Sequence, residues 1–280
     1  MQRMLITGGA GYLGAELVAQ AAGCFDLAAT YFTQHPAIGG VQWRQLDIRD
    51  GAAAMRVFGE LQPEIVIHTA YRQSGPDLWA TTATGTEQIV QAARAHGTRL
   101  VHVSSDALFD GELPVGRSYT EADDPSPITP YGEAKAAAER MVEQHMPAAL
   151  VVRTSLIYGG IQPGQHEQFV IGVLNGRADV TFFTDELRCP IAVRDLAAAL
   201  LELAAGDRCG RLHVAGPEVL SRFEFARMIA TAYGYDPAHL RAGLSVASAA
   251  RRPRNCALDC SAAYAMLHTR IRSIGEVFTR

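Results

Sequence analysis

The sequence predicts an α/β fold built on a doubly wound parallel sheet, followed by a smaller C-terminal α/β region. Two observations lead to this prediction: short apolar runs alternate with helical stretches in the first half of the chain, and the alternation weakens after about residue 154. The predicted strands cover residues 3–7, 26–31, 65–69, 100–104 and 149–153. The predicted helices between them cover residues 14–22, 51–60, 84–96 and 131–144.

Unbroken apolar runs justify the parallel arrangement. Residues 65–67 read Ile-Val-Ile and residues 150–152 read Leu-Val-Val, as expected of strands that are covered by helices on both faces. The less regular second half is predicted to contain helices at residues 168–175, 193–204 and 222–232 and a strand at residues 211–214.

A glycine-rich loop at residues 159–164 marks the change between the two halves. We therefore expect a first domain over residues 1–158 and a substrate-binding region over residues 159–280. Part of residues 190–215 is expected to return to the first domain.

The composition excludes several classes of protein. Of 280 residues, 48% are hydrophobic and 19% are charged, and 25 Lys and Arg against 29 Asp and Glu leave a net charge of −4. Binders of nucleic acid normally carry a basic excess, and disordered chains lack this much apolar surface. No apolar run approaches the roughly 20 residues that cross a bilayer, and no secretion signal opens the sequence. We therefore expect a cytoplasmic protein with a small-molecule substrate and no nucleic-acid or membrane partner.

The five cysteines form an odd set without the spacing of zinc ligands. We expect free thiols and no metal site.

A glycine loop directly follows the first predicted strand. Gly8, Gly11 and Gly14 form a GxxGxxG spacing between a strand and a helix. Gly8 allows a tight turn, Gly11 lets backbone N–H groups approach a pyrophosphate, and Gly14 allows the helix to pack closely on the strand. A plain strand-to-helix turn is the alternative, but the position at the start of the chain favours a dinucleotide-binding loop of the Rossmann type.

The end of the second predicted strand bears on the choice of cofactor. Residues 30–35 read Thr-Tyr-Phe-Thr-Gln-His. They contain no carboxylate for the ribose 2′-hydroxyl of NAD and no arginine for the 2′-phosphate of NADP. The missing carboxylate favours NADP(H) over NAD(H).

A second motif places a tyrosine and a lysine on one helix face. Tyr131 and Lys135 lie four residues apart at the start of a predicted helix. An adjacent ammonium and a cationic nicotinamide favour the phenolate and bring the pKa of a tyrosine from about 10 towards the working range of an acid–base catalyst. Ser104, Ser105 and Asp106 follow the fourth predicted strand, at the sheet edge where open α/β sheets bind ligands. A chance YxxxK and a turn serine are the alternatives, and the combination favours catalysis.

These motifs resemble the extended short-chain dehydrogenase/reductases. Within that superfamily the sequence is similar to the dTDP-4-dehydrorhamnose reductase-like branch, which also contains the regulatory subunit of methionine adenosyltransferase. The similar segments are residues 46–48, 104–111, 153–159, 189–197 and 252–259. The resemblance extends over nearly the whole chain and implies an NADP(H)-dependent oxidoreductase that reduces a keto group on a nucleotide-activated deoxysugar.

The resemblance also implies roles for individual residues. The catalytic set would be Ser105, which polarises the carbonyl, Tyr131, which donates the proton, and Lys135, which lowers the pKa of the tyrosine and binds ribose. The cofactor would contact Gly8, Gly11, Tyr12, Leu13, Gly14, Asp47, Ile48, Thr69, Ala70, Tyr131 and Lys135. The substrate would contact Ser105, Asp106, Leu156 and Arg188.

The sequence departs from the family pattern where the sugar nucleotide is bound. Ser105 replaces a threonine, Ala107 a tyrosine and Leu156 a tryptophan, while Cys189 and Ile191 alter a GxPT string. Arg72, Arg188 and Arg254 are candidate contacts for a phosphate or an acidic substrate. A non-catalytic NADP-binding regulatory subunit and a nucleotide-sugar epimerase are therefore alternatives. A homodimer is compatible with such a scaffold, although nothing in the sequence identifies an interface.

Overall fold

A seven-stranded parallel sheet forms the centre of the computed structural model, which describes residues 1–248 and 251–279. The strands are β1 Arg3–Thr7, β2 Asp26–Tyr31, β3 Gln42–Gln45, β4 Ile65–His68, β5 Arg99–Ser105, β6 Leu150–Thr154, β7 Ile157–Tyr158, β8 Thr181–Phe183, β9 Leu187–Arg188, β10 Ile191–Ala192, β11 Gly210–His213, β12 Leu220–Ser221 and β13 Arg241–Gly243. The helices are α1 Tyr12–Ala21, α2 Gly51–Leu61, α3 Gly85–Ala95, α4 Pro130–His145, α5 Gln165–Leu174, α6 Val193–Ala205, α7 Arg222–Ala232, α8 Ser261–Met266 and α9 Ile274–Phe278.

The central sheet is doubly wound, as predicted. Its strand order is β3-β2-β1-β4-β5-β6-β11, and every neighbouring pair is parallel. The order reverses between β1 and β4, so a cleft opens there at the carboxyl ends of the strands. The fold class predicted from the sequence is confirmed.

Two hydrophobic layers cover the sheet. Helices α1 and α6 bury one face, and α2, α3 and α4 bury the other. Strand β11 and helix α6 belong to this central unit although they come late in the chain, since β11 pairs with β6 and α6 packs on α1. No helix in the described part of the chain is long and apolar enough to span a bilayer.

The elements outside the central sheet form a separate apolar cluster. Helices α5, α7 and α9 pack around Tyr158, Phe182 and Phe225, flanked by the short strand pairs β7–β10, β8–β13 and β9–β12. The predicted helix at residues 168–175 begins earlier, at Gln165, because the Glu167 side chain accepts the backbone N–H of Gly164 and caps the first turn.

A buried ion pair connects α4 to the sheet. The Arg153 guanidinium of β6 donates to both carboxylate oxygens of Glu139 of α4, at 2.8–3.2 Å, and both side chains are almost fully buried. Glu139 lies on the same helix face as Tyr131 and Lys135. The pair therefore holds the helix that carries the tyrosine and the lysine against the sheet.

Replacing one member of the Arg153–Glu139 pair should destabilise the folded protein. Glu139→Gln leaves the Arg153 charge buried without its counter-charge, so the free energy of unfolding should fall by about 3–5 kcal/mol. Urea denaturation measures this change. Glu143→Gln is the matched control, because Glu143 lies one turn further along α4 and pairs with the partly exposed Arg211, where a loss of about 1 kcal/mol or less is expected. Equal losses in the two variants would contradict the role given to Glu139.

Candidate active site

Two adjoining cavities lie at the carboxyl ends of the central strands. We call the larger one, of about 660 Å³, the cofactor cavity, and the smaller one, of about 320 Å³, the reaction cavity. They share the lining residues Gly8, Gly11, Tyr12, Thr69, Tyr71, Gln73 and Gln165. The two cavities therefore form one continuous cleft.

The glycine loop forms the floor of this cleft. Gly8 has a φ of +74°, which other residues rarely adopt, and a Cβ at Gly14 would lie 2.1 Å from the carbonyl oxygen of Gly8. The tight turn and the close helix packing predicted from the spacing are both present. Helix α1 follows Gly11 without a side-chain cap, so its first N–H groups are available to an anion.

The predicted cofactor contacts all line the cleft. Asp47, Ile48 and Ala70 line the cofactor cavity only. The reaction cavity alone is lined by Leu13, Gly14, Tyr131 and Lys135. Both cavities are lined by Gly8, Gly11, Tyr12 and Thr69. The structure thus brings together residues that are far apart in the sequence.

An arginine that the sequence motifs did not single out lies at the far end of the cofactor cavity. Arg49 makes a bidentate ion pair with Asp47, and its guanidinium carbon lies 5.8 Å from the centre of the Phe32 ring. Hydrogen bonding from Arg49 holds the pKa of Asp47 below its usual value. Among the charged residues that line this cavity, Arg49 and Arg72 outnumber Asp47. The Arg49 guanidinium also pairs with Asp77, which lies outside the cavity lining, at 3.1 Å.

Helix α4 places the tyrosine and the lysine in the reaction cavity. It begins at Pro130, and the Thr129 side chain caps its first turn by accepting the N–H of Gly132. A Cβ at Gly132 would lie only 2.2 Å from the carbonyl oxygen of Ala107, so the helix packs directly on the turn that follows Ser105. This close approach brings Tyr131 and Ser105 to the same cavity wall.

Lys135 is buried beside the tyrosine. Its ammonium donates to the carbonyl oxygen of Val103 at 2.8 Å and lies 5.0 Å from the centre of the Tyr71 ring. Burial lowers the pKa of Lys135 from 10.5 to about 8, while the charge of Glu139 opposes this shift. The ammonium therefore remains charged in most molecules at neutral pH.

The Tyr131 phenol is held in its protonated form. Burial is the main reason that its pKa lies well above 10, the Tyr71 phenol adds to the effect, and a hydrogen bond with Ser105 acts in the opposite direction. The Tyr71 and Tyr131 rings are 5.7 Å apart. Tyr71, which the motifs did not single out, thus contacts both members of the YxxxK pair.

Ser105 is part of a short polar chain. Its hydroxyl donates to an oxygen of Asp106 at 3.2 Å, and the other Asp106 oxygen accepts from Ser155 at 2.6 Å. Burial raises the pKa of Asp106, partly offset by the nearby Arg188 guanidinium, whose Nε is 3.7 Å from the carboxylate. Asp106 thus lies beside the Ser105 hydroxyl on the cavity wall.

The remaining predicted substrate contacts differ in their surroundings. Leu156 and Arg188 line the reaction cavity. The two Nη atoms of Arg188 donate to Glu186 and to the carbonyl oxygens of Leu187, Pro253 and Arg254. The guanidinium of Arg188 therefore also ties two loops together. Arg254 is more than half exposed and pairs with Glu112, and it does not line the reaction cavity.

The outer end of the reaction cavity carries charged residues that the motifs did not assign. Arg222 and Arg252 line both this cavity and a third one, of about 360 Å³, which opens beside it towards Phe169 and Phe183. Arg252 lies 3.8 Å from a carboxylate oxygen of Glu186. Arg252 belongs to the segment 252–259 that carries the family resemblance, whereas no motif pointed to Arg222.

His68 and His102, two of the histidines of the central sheet, line neither cavity. The ring nitrogens of His68 contact the hydroxyls of Thr7 and Thr86, at 2.6 and 3.1 Å, and His102 stacks on His68. Among the described residues, no group of three or more His, Cys, Asp or Glu side chains could hold a metal ion.

Known proteins are similar to this chain over most of its length. The model of the RmlD substrate binding domain matches residues 1–278. dTDP-4-dehydrorhamnose reductase of Mycobacterium tuberculosis is 37% identical over 257 residues, which cover 86% of this chain and 78% of that protein. Methionine adenosyltransferase 2 subunit beta of Mus musculus is 28% identical over 280 residues, covering 93% of this chain and 81% of that protein.

Solved structures agree with the sequence relatives. The crystal structure of a hypothetical dTDP-4-dehydrorhamnose reductase from Sulfolobus tokodaii superposes with a TM-score of 0.83 at 28% identity, covering 97% of each chain. That of dTDP-4-dehydrorhamnose reductase from Bacillus anthracis in complex with NADP has a TM-score of 0.80 at 24% identity, covering 99% of this chain and 98% of that one. The resemblance drawn from the sequence motifs is confirmed: the chain belongs to the RmlD substrate binding domain family.

Proposed function

We propose that this protein is an NADP(H)-dependent reductase of a keto group on a nucleotide-activated deoxysugar, of the kind that dTDP-4-dehydrorhamnose reductase performs. The observation that supports this most strongly is that Ser105, Tyr131 and Lys135 line a cavity continuous with the one above the glycine loop. The M. tuberculosis relative at 37% identity carries the name of this activity.

The residues fit a nicotinamide dinucleotide. The uncapped start of α1 suits a pyrophosphate, and the cavity beyond it provides room for the adenosine half. When bound, the reduced nicotinamide supplies a hydride to the carbonyl carbon.

Side chains of the protein then supply the proton that the reduction needs. Ser105 releases its hydrogen bond to Asp106 and donates to the carbonyl oxygen instead, and Tyr131 transfers its phenolic proton to the same oxygen, so that the ketone becomes an alcohol. The raised pKa suits this direction, because Tyr131 is protonated before the reaction. The phenolate that remains lies on the same cavity wall as the Lys135 ammonium, whose charge favours it. Proton transfer from solvent restores Tyr131 for the next turnover.

The charges of the cofactor cavity support NADP(H) over NAD(H). Phe32, Thr33 and Gln34 at the end of β2 line the cavity together with Arg49 and Arg72. The Arg49 guanidinium, which lies beside the Phe32 ring at the end of β2, takes the place of the arginine that β2 itself lacks. Arginine is well suited to a phosphate because its planar fork donates two parallel hydrogen bonds.

The outer arginines support a phosphorylated substrate. Arg222 and Arg252 lie beyond Ser105 and Tyr131 along the cavity, where a diphosphate would extend if the keto group lay at the tyrosine. Ala107 and Leu156 replace family aromatic residues in the reaction cavity. The accepted sugar can therefore differ from the rhamnose precursor.

Cofactor binding and substrate binding are assigned to different parts of the chain. We assign cofactor binding to residues 1–158 and substrate binding to residues 159–280, with α6 and β11 completing the cofactor-binding unit. A purely regulatory function, as in the adenosyltransferase subunit, is less well supported, because such a protein needs no proton donor.

Removal of the proton donor tests the proposed reaction. Tyr131→Phe keeps the ring but cannot donate a proton, so kcat for dTDP-4-dehydrorhamnose with NADPH should fall by a factor of about 10²–10⁴. The loss of absorbance of the reduced nicotinamide measures turnover, and fluorescence titration measures NADPH binding, which should change little.

Tyr235→Phe is the matched control. The Tyr235 hydroxyl contacts Asn175 on the protein surface, so this variant should retain full turnover. Unchanged turnover in Tyr131→Phe would rule out the proposed proton transfer.

A second substitution tests the choice of cofactor. Arg49→Gln removes a charged partner for the 2′-phosphate, so KM for NADPH should rise about 10-fold or more, while KM for NADH should stay within about 2-fold. Arg44→Gln is the control, because Arg44 lies close by on β3 and pairs with the exposed Glu60. Equal effects of Arg49→Gln on both cofactors would show that Arg49 does not recognise the 2′-phosphate.

A further inference from the structure

One side chain of the glycine loop reaches the C-terminal region. The Tyr12 hydroxyl accepts the backbone N–H of Gly160 at 2.8 Å and donates to a carboxylate oxygen of Glu167 at 3.3 Å. A Cβ at Gly160 or Gly164 would lie less than 3 Å from atoms of the Tyr12 ring or hydroxyl. The Tyr12 ring therefore packs directly on the backbone of residues 159–164, and the glycine at 160 leaves it the space to do so.

Glu167 is a fully buried carboxylate whose charge is balanced by hydrogen-bond donors. Besides Tyr12, it accepts from the Tyr233 hydroxyl at 2.9 Å and from the N–H groups of Gly164 and Gly159 at 2.7 and 3.3 Å. Among the described residues no cation lies within 4.0 Å of it. A buried carboxylate without a counter-ion depends on such donors, so its position is sensitive to the loss of any one of them.

The Glu167 site is adjacent to the cleft along the chain. Gln165 and His166, which precede Glu167 in the first turn of α5, line the cleft: Gln165 borders both cavities and His166 borders the reaction cavity. Because three consecutive residues of a helical turn move together, the position of Glu167 sets the position of the cleft wall formed by Gln165 and His166.

We propose that Tyr12 is a positioning residue that couples occupation of the cofactor cavity to the placement of the α5 wall of the reaction cavity. The coupling rests on the proposed function, since it needs a dinucleotide that orders the glycine loop at Gly11. A ligand held at the start of α1 restrains Tyr12, Tyr12 restrains Glu167, and Glu167 restrains Gln165 and His166.

The Tyr12 hydroxyl remains a hydrogen-bond donor to Glu167 over a wide pH range. Burial and the neighbouring Glu167 carboxylate raise the pKa of Tyr12 above its usual value of 10. The hydroxyl therefore stays protonated and continues to donate across the neutral pH range.

Two tyrosines that share Glu167 allow a matched test. Tyr12→Phe and Tyr233→Phe each remove one hydroxyl from the carboxylate, but only Tyr12 belongs to the glycine loop. Amide hydrogen exchange in residues 159–168 is measured by mass spectrometry for the full chain, with and without saturating NADPH. In the wild type and in Tyr233→Phe, NADPH should slow exchange in this segment by about 10-fold, and in Tyr12→Phe the effect should disappear.

The outcomes separate the coupling from the proposed function. NADPH binding is first established by fluorescence titration, and a wild type that binds no NADPH would overturn the proposed function and the coupling with it. Binding with retained protection in Tyr12→Phe, or equal loss in both tyrosine variants, would overturn the coupling alone. Glu167→Gln, which keeps the side-chain shape but exchanges an acceptor oxygen for an NH₂ group, should also lose the protection and provides the same test if Tyr12→Phe does not fold.

Discussion

The contact between α4 and the turn after β5 is the constraint on which the rest of the site depends. Gly132 lies so close to the carbonyl oxygen of Ala107 that any larger residue would push the helix away from the sheet. The Arg153–Glu139 pair holds the same helix about two turns further along. Between these two contacts, Tyr131 and Lys135 face the cavity with little freedom to move, as proton transfer over a short distance requires.

Burial has opposite consequences for the two members of the YxxxK pair. It raises the pKa of Tyr131 and lowers that of Lys135, because a low-dielectric environment disfavours the charged form of each group. The sequence predicts that the ammonium and a cationic nicotinamide together bring the pKa of the tyrosine into its working range. In the structure the ammonium contacts the Val103 carbonyl oxygen and the Tyr71 ring, and burial keeps the Tyr131 phenol protonated by raising its pKa. A protonated phenol and a nearby cation are the starting state that a reduction needs.

The sequence could predict elements whose signals are local. The glycine spacing predicted the β1–α1 turn, and apolar runs predicted the buried strands, with bounds within one or two residues of those observed. Strand β3 was missed because Gln42–Gln45 is polar, lies at the sheet edge and pairs with a single neighbour. Arg49, Glu167 and Arg222 were missed for a different reason. Their importance comes from contacts between distant segments, and no spacing in a single sequence encodes such contacts.

In the proposed reaction, this cleft brings a nicotinamide and a sugar carbon together for hydride transfer. The most direct measurement uses NADPH deuterated at C4 of the nicotinamide in the 4R or the 4S position, each incubated with the wild-type protein and a panel of nucleotide-linked 4-keto sugars that includes dTDP-4-dehydrorhamnose, and locates the deuterium in the product by NMR. We expect deuterium on the former carbonyl carbon of one sugar, with one of the two labelled forms of NADPH only. Full NADPH binding without deuterium in any sugar product would contradict it and would favour a regulatory protein instead.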